Sequence, residues 1–81
     1  MSYCTVTNNE LRIHTDDSIT EIPLDPRNII SRSPTHFIVH DDKDLLLCEI
    51  LIGLNEIYIR ANKNGYQLPL NEHVVEWFSQ I

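Results

Sequence analysis

The sequence predicts an α+β fold: an antiparallel meander of five to seven short strands, in a strongly bent sheet or small open barrel, with one C-terminal helix. Short runs of β-branched and aromatic residues alternate with turn residues over most of the chain. The apolar pattern changes to a helical period only at the end. The 81 residues leave room for a single domain, 1–81.

Strand-like runs occur at 3–7, 10–15, 18–24, 35–40, 44–52, 56–61 and 66–70. Asn8 and Asn9 separate the first two runs, and because asparagine tolerates positive φ, they predict a tight hairpin. Asn64-Gly65 is the clearest hairpin signal in the chain. Pro69 is expected to end the last strand.

Residues 25–34 permit two interpretations. Asp25 followed by Pro26 is typical of an N-cap and first helical position, which predicts a single helical turn. Alternatively, a strand begins at 28–32. Pro34 ends either element.

The run at 44–52 is apolar on both faces. If it is a strand, one face carries Leu46, Cys48, Ile50 and Ile52, and the other carries Leu45, Leu47, Glu49 and Leu51. Such a strand is either central and covered on both sides, or it meets another subunit.

The C-terminal helix is predicted to begin after Asn71, a suitable N-cap. Its apolar residues cover an arc of about 160°: Val74, Val75, Trp77, Phe78 and Ile81. Trp77 lies at the edge of this arc, so it is either a core residue or an anchor for a partner.

Charge and composition exclude several classes of function. A net charge of −6 argues against direct nucleic-acid binding and against an anionic membrane surface. The first residues lack the basic and apolar segments of a secretory leader, and the longest apolar run is too short to span a bilayer, so a cytoplasmic location is expected. Cys4 and Cys48 are expected to be buried and reduced.

THFIVHDDKD, residues 35–44, is the stretch that most resembles a chemical site. In a strand, His36 and His40 lie about 13 Å apart, too far to share one metal ion. The aspartates that follow lack the glycine and glutamate of a calcium loop. With only two glycines, the chain has no dinucleotide fingerprint, P-loop or nucleophile elbow. We therefore expect no cofactor and no bound metal.

An enzyme or metal protein remains a third hypothesis. It would use histidines from neighbouring strands, or pair one of them with the cysteine of the apolar strand: His14, His36, His40 and Cys48.

Turns in a meander alternate between two ends of the sheet. If residues 25–34 add no further chain reversal, the turns at 16–17, 41–44 and 62–65 share one end. That end would gather Asp16, Asp17, Asp41, Asp42 and Asp44. Its field would attract basic partners. Alternatively, aspartates occupy these turns only because turns favour them.

The leading functional hypothesis is a small, acidic, non-enzymatic protein that binds or inhibits a basic protein partner. It would act in the style of toxin-neutralising immunity proteins or of mobile-element inhibitors. The predicted partner-binding residues are Asp16, Asp17, Asp41, Asp42, Asp44, Tyr58 and Trp77. The alternative is a self-associating structural or regulatory domain, such as a homodimer that uses the doubly apolar strand, Tyr58 and Trp77.

Overall fold

A computed structural model describes all 81 residues of the chain, as eight strands, one 3₁₀ turn and one helix. The strands are β1 (Tyr3–Thr7), β2 (Glu10–His14), β3 (Ile19–Pro23), β4 (Ile29–Ser33), β5 (His36–His40), β6 (Leu46–Ile52), β7 (Glu56–Ala61) and β8 (Asn64–Pro69). The helix, α1, is Glu72–Phe78. The α+β class, the antiparallel pairing and the C-terminal helix are confirmed.

The strands form two sheets that follow chain order. The smaller sheet has the order β1-β2-β3, and the larger has the order β4-β5-β6-β7-β8. No backbone ladder joins β3 to β4, so the meander is divided between Leu24 and Asn28. On the other side of the molecule, β1 lies beside β8 and α1 packs on β1.

The segment 25–34 contains both elements that the sequence left open. The Asp25 carboxylate accepts a hydrogen bond from the Arg27 amide at 3.0 Å and so caps the 3₁₀ turn Pro26–Asn28. Ile29 then begins β4, which ends before Pro34. This strand adds one chain reversal to the meander.

Asparagines make the two tightest hairpins. Asn8 and Asn9 have φ of 54° and 58°, both positive as a type I′ turn requires. The hairpin predicted near residues 62–65 is confirmed, but its turn lies earlier than Asn64-Gly65. Asn62, with φ of 58°, takes the left-handed position, and Asn64 already pairs with Ala61.

One hydrophobic core joins both sheets and the helix. All sixteen buried residues are hydrophobic: Cys4, Leu11, Ile13, Ile22, Leu24, Ile29, Phe37, Val39, Cys48, Ile50, Ile57, Ile59, Ala61, Leu68, Val74 and Phe78. The strand alternation predicts much of this set, because side chains in a strand alternate between its two sides. Phe78 of α1 contacts Phe37 of β5, with ring centroids 5.0 Å apart.

Strand β6 is central in the larger sheet, but the chain itself covers only one of its sides, so the expectation of a strand covered on both sides within one chain is wrong. Cys48 and Ile50 are buried, but Leu46 is 64% exposed, so the predicted common face of Leu46, Cys48 and Ile50 is also wrong. The reason is a β-bulge: the register shifts between Val39 and His40, and an extra residue puts Leu46 out of phase. The outer side of β6 is uncovered, and Leu51 is 44% exposed.

Helix α1 begins after Asn71, which caps it as predicted. Its inward side chains are Val74 and Phe78. Ile81 lies beyond the last helical residue and is 37% exposed, so it does not extend the buried arc. No helix in the chain is both long and apolar enough to cross a membrane.

Candidate interaction surfaces

The turn between β5 and β6 is built by its own first aspartate. Asp41 Oδ1 accepts hydrogen bonds from the backbone amides of Lys43 at 2.8 Å and Leu45 at 3.0 Å. Asp44 closes the turn at φ of 64°, a left-handed conformation that aspartate tolerates better than most residues. Asp41 therefore acts mainly as a structural residue in this turn.

The other two aspartates of the turn keep most of their carboxylate free. Asp42 Oδ1 accepts a hydrogen bond from Asn28 Nδ2 at 2.8 Å, which ties the turn to the 3₁₀ segment. The Asp44 side chain is 93% exposed, and its Oδ1 lies 3.6 Å from His40 Nδ1. Arg27 is committed to Asp25 at 2.7 Å, and that hydrogen bond holds the pKa of Asp25 below its ordinary value.

Two consecutive leucines follow this turn and remain open to solvent. Leu45 is 63% exposed and Leu46 is 64% exposed. Residues 41–46, the acidic–leucine loop, thus present free carboxylates beside adjacent apolar side chains. The alternating pattern does not predict the exposure of Leu46, because it groups Leu46 with the buried Cys48 and Ile50. Only the bulge exposes it, and the sequence carries no clear signal for the bulge.

Asp16 and Asp17 do not join this loop, so the predicted gathering of five aspartates is wrong. They lie in the β2–β3 turn, at one end of the smaller sheet. Leu24 marks the other end of that sheet: it follows β3, and its amide donates to Asn9 O at 2.8 Å. The acidic–leucine loop contacts Asn28, on that opposite side. Strand β4 supplies the extra reversal that puts the two acidic turns at different ends.

Tyr58 lies on the outer face of the larger sheet and is 42% exposed. This face, the outer sheet face, is formed by outward side chains of β4 to β8, which include Ile30, Arg32, His36, Ile38, His40, Leu46, Glu49, Leu51, Glu56, Tyr58, Arg60 and Gln67. His36 Nε2 and Glu49 Oε2 are 2.6 Å apart at its centre. A shallow depression of about 310 Å³ lies between Leu51, Tyr58 and Arg60.

Trp77 is partly buried and packs against the core. Its ring meets Phe78 edge-on at 5.0 Å, and its Nε1 donates to Asn9 Oδ1 at 3.4 Å. It therefore lies on α1 beside the β1–β2 turn, away from Tyr58. The predicted partner-binding residues occupy four separate places.

The histidines and the cysteine of the third hypothesis do not converge. His14 stacks on Tyr3 in the smaller sheet, with ring centroids 4.4 Å apart, while His36 and His40 lie on the outer side of β5. Cys48 is buried on the inner side of β6, and burial raises the pKa of its thiol to about 12. No three His, Cys, Asp or Glu side chains are arranged so that they could hold a metal ion.

Comparisons of the chain with protein-family models, with curated proteins and with solved structures found no match.

Proposed function

We propose that this chain is a small, acidic, non-enzymatic protein that binds a basic protein partner through the acidic–leucine loop. The observation that carries the proposal is the pair of adjacent leucines, 63% and 64% exposed, next to the exposed carboxylates of Asp42 and Asp44. The function would be inhibitory: the loop covers a basic surface of its partner, in the manner of an immunity protein or a mobile-element inhibitor.

The two kinds of side chain serve different parts of binding. Burial of a leucine side chain in an interface is worth about 1.5–3 kcal/mol, so the leucines would supply affinity. The carboxylates would attract and orient a basic partner, because the chain as a whole carries a charge of −6. We place this activity in the cytoplasm, as expected from the sequence.

The loop is also ordered before binding. Asp41 holds two of its backbone amides, and Asn28 holds Asp42. A loop that is already in its binding conformation loses less conformational entropy on association. This order supports the proposal that the loop binds a partner and does more than connect β5 to β6.

The test is a capture experiment with the tagged protein in lysate of its native host, washed at low and at high salt. Asp42→Asn and Asp44→Asn together remove two charges, while asparagine keeps the hydrogen-bond acceptor at 42 and tolerates the positive φ at 44. We expect this double variant to bind the captured partner about 5- to 20-fold more weakly at low salt, with a flatter salt dependence.

Asp17→Asn is the matched control, because Asp17 is exposed, forms no ion pair and lies at the other acidic turn. It should leave the affinity unchanged. Leu46→Ser should weaken binding at every salt concentration, since it removes apolar contact area. Equal binding by the wild type, the double variant and Leu46→Ser would refute the proposal.

A further inference from the structure

The outer sheet face is unusually apolar for a face that its own chain leaves open. Ile30 is 46% exposed, Leu51 44% and Tyr58 42%, and Ile38 lies between them on β5. An antiparallel sheet with one open face ordinarily places polar side chains there. Helix α1 cannot cover this face, because Val74 and Phe78 hold it against the core on the other side.

The register places two apolar pairs on this face. Leu51 pairs directly with Tyr58, and Ile30 pairs directly with Ile38. The pairs lie in neighbouring rows, on either side of the His36–Glu49 pair. Several large apolar side chains exposed on one face, among paired polar groups, are typical of an interaction site.

The charges of the same face are almost balanced, unlike those of the whole chain. Glu49 is paired with His36, and Glu56 accepts hydrogen bonds from Tyr58 and Gln67. Arg32 and Arg60 are the arginines of the face, and neither forms an ion pair within the chain. The acidic residues whose carboxylates have neither a hydrogen-bond donor nor an ionic partner within the chain lie elsewhere: Asp17, Glu72 and Glu76.

We propose that the outer sheet face binds a second copy of this chain, forming a twofold symmetric dimer. A chain with a charge of −6 can approach its own copy only where free carboxylates are few, and this face meets that condition. A twofold axis near β6 places the β7–β8 half of one copy on the β4–β5 half of the other. Tyr58 of one copy then lies against His36 and Ile38 on β5 of the other, and Arg60 approaches the carboxylate of Glu49.

The size of the face suits a weak dimer. Five strands at about 4.8 Å spacing, each about five residues long, give a footprint of roughly 24 by 17 Å, or about 400 Å². The relief of the side chains makes the accessible area larger, close to the roughly 600 Å² per partner at the lower limit of specific interfaces. Association should therefore depend on concentration between about 10 µM and 1 mM. The proposal does not depend on the acidic–leucine loop.

Sedimentation equilibrium tests the proposal on the wild type and on variants. The mass should rise from that of one chain towards that of two over this concentration range. Leu51→Lys and Ile30→Lys should each weaken association at least 10-fold, since each places a charge in the contact. Ile19→Lys is the matched control: Ile19 is 55% exposed, but it lies on the smaller sheet, and the variant should dimerise like the wild type. Circular dichroism would check that each variant is folded.

A second measurement uses the wild type alone. On dilution, the amide resonances of His36, Leu51 and Tyr58 should shift, while those of Ile19 and Thr20 in the smaller sheet should not. A mass of one chain at about 1 mM would overturn the proposal. So would dimerisation that persists in Leu51→Lys, or concentration-dependent shifts confined to the smaller sheet.

Discussion

Replacement of Asn71 by alanine is expected to lower the free energy of unfolding by about 2 kcal/mol. Asn71 Oδ1 accepts hydrogen bonds from the amides of His73 at 2.9 Å and Val74 at 3.4 Å, and its Nδ2 donates to the carbonyl of Cys4 at 3.0 Å. Loss of an N-cap costs about 1 kcal/mol, and loss of a partly buried hydrogen bond costs about 1 kcal/mol more. The helix has only seven residues, so it depends strongly on its cap and on this link to β1.

Thermal unfolding followed by circular dichroism measures the effect. A loss of 2 kcal/mol should lower the Tm by about 10 °C in a domain of this size. Asn71→Ser keeps a cap but is too short to reach Cys4, so it should cost about half as much. Asn64→Ala is the control, since that exposed side chain forms no hydrogen bond, and it should change stability by less than about 0.5 kcal/mol.

Two outcomes would refute this reasoning about Asn71. A serine variant as stable as the wild type would mean that the bond to the Cys4 carbonyl contributes nothing. An alanine variant within about 0.5 kcal/mol of the wild type would mean that the cap does not support the helix either.

Two further predictions concern the core. Ile50→Val should lower the free energy of unfolding in urea by about 1 kcal/mol, because Ile50 is completely buried. Ile30→Val, on the exposed side of the same sheet, should cost less than about 0.5 kcal/mol. Equal costs for the two variants would contradict the assigned burial. Burial raises the pKa of Cys4 from 9.0 to about 11 and that of Cys48 to about 12, so stability should be full below pH 9 and decline as the pH rises towards 11 to 12. The free energy of unfolding measured at pH 7 and at pH 10.5 gives this decline. A variant with both cysteines replaced by alanine should show a smaller decline. Rapid modification of either thiol by Ellman's reagent at pH 8 in the folded protein would contradict the burial.

The sequence predicts the local features of this fold well, since they depend on a few neighbouring residues. Asn8-Asn9 has the conformational tolerance that a tight turn needs, and Asn71 has the oxygen that a helix start needs. In β5, Phe37 and Val39 are buried while His36 and His40 face outward, as alternation requires. Each of these features follows from the period of the strand or from the chemistry of one side chain.

The candidate surfaces were less predictable, because they depend on how distant parts of the chain meet. The acidic turns separate because Ile29–Ser33 forms a strand that pairs with β5, and the sequence alone left that segment open. Leu46 is exposed because of a bulge opposite His40, a register choice made between two strands. Apolar pattern alone suggests burial for both faces of β6.

By itself, therefore, the sequence determined that this protein has an antiparallel α+β fold, an acidic charge and the inward side chains of most strands. Strand period, turn chemistry and composition act locally, so they can be read along the chain. Only the tertiary structure decided that the meander divides into two sheets, that α1 packs on the core side, and that the outer face of β6 stays uncovered. Which surfaces are covered depends on contacts between residues far apart in the chain, and local patterns do not specify those contacts.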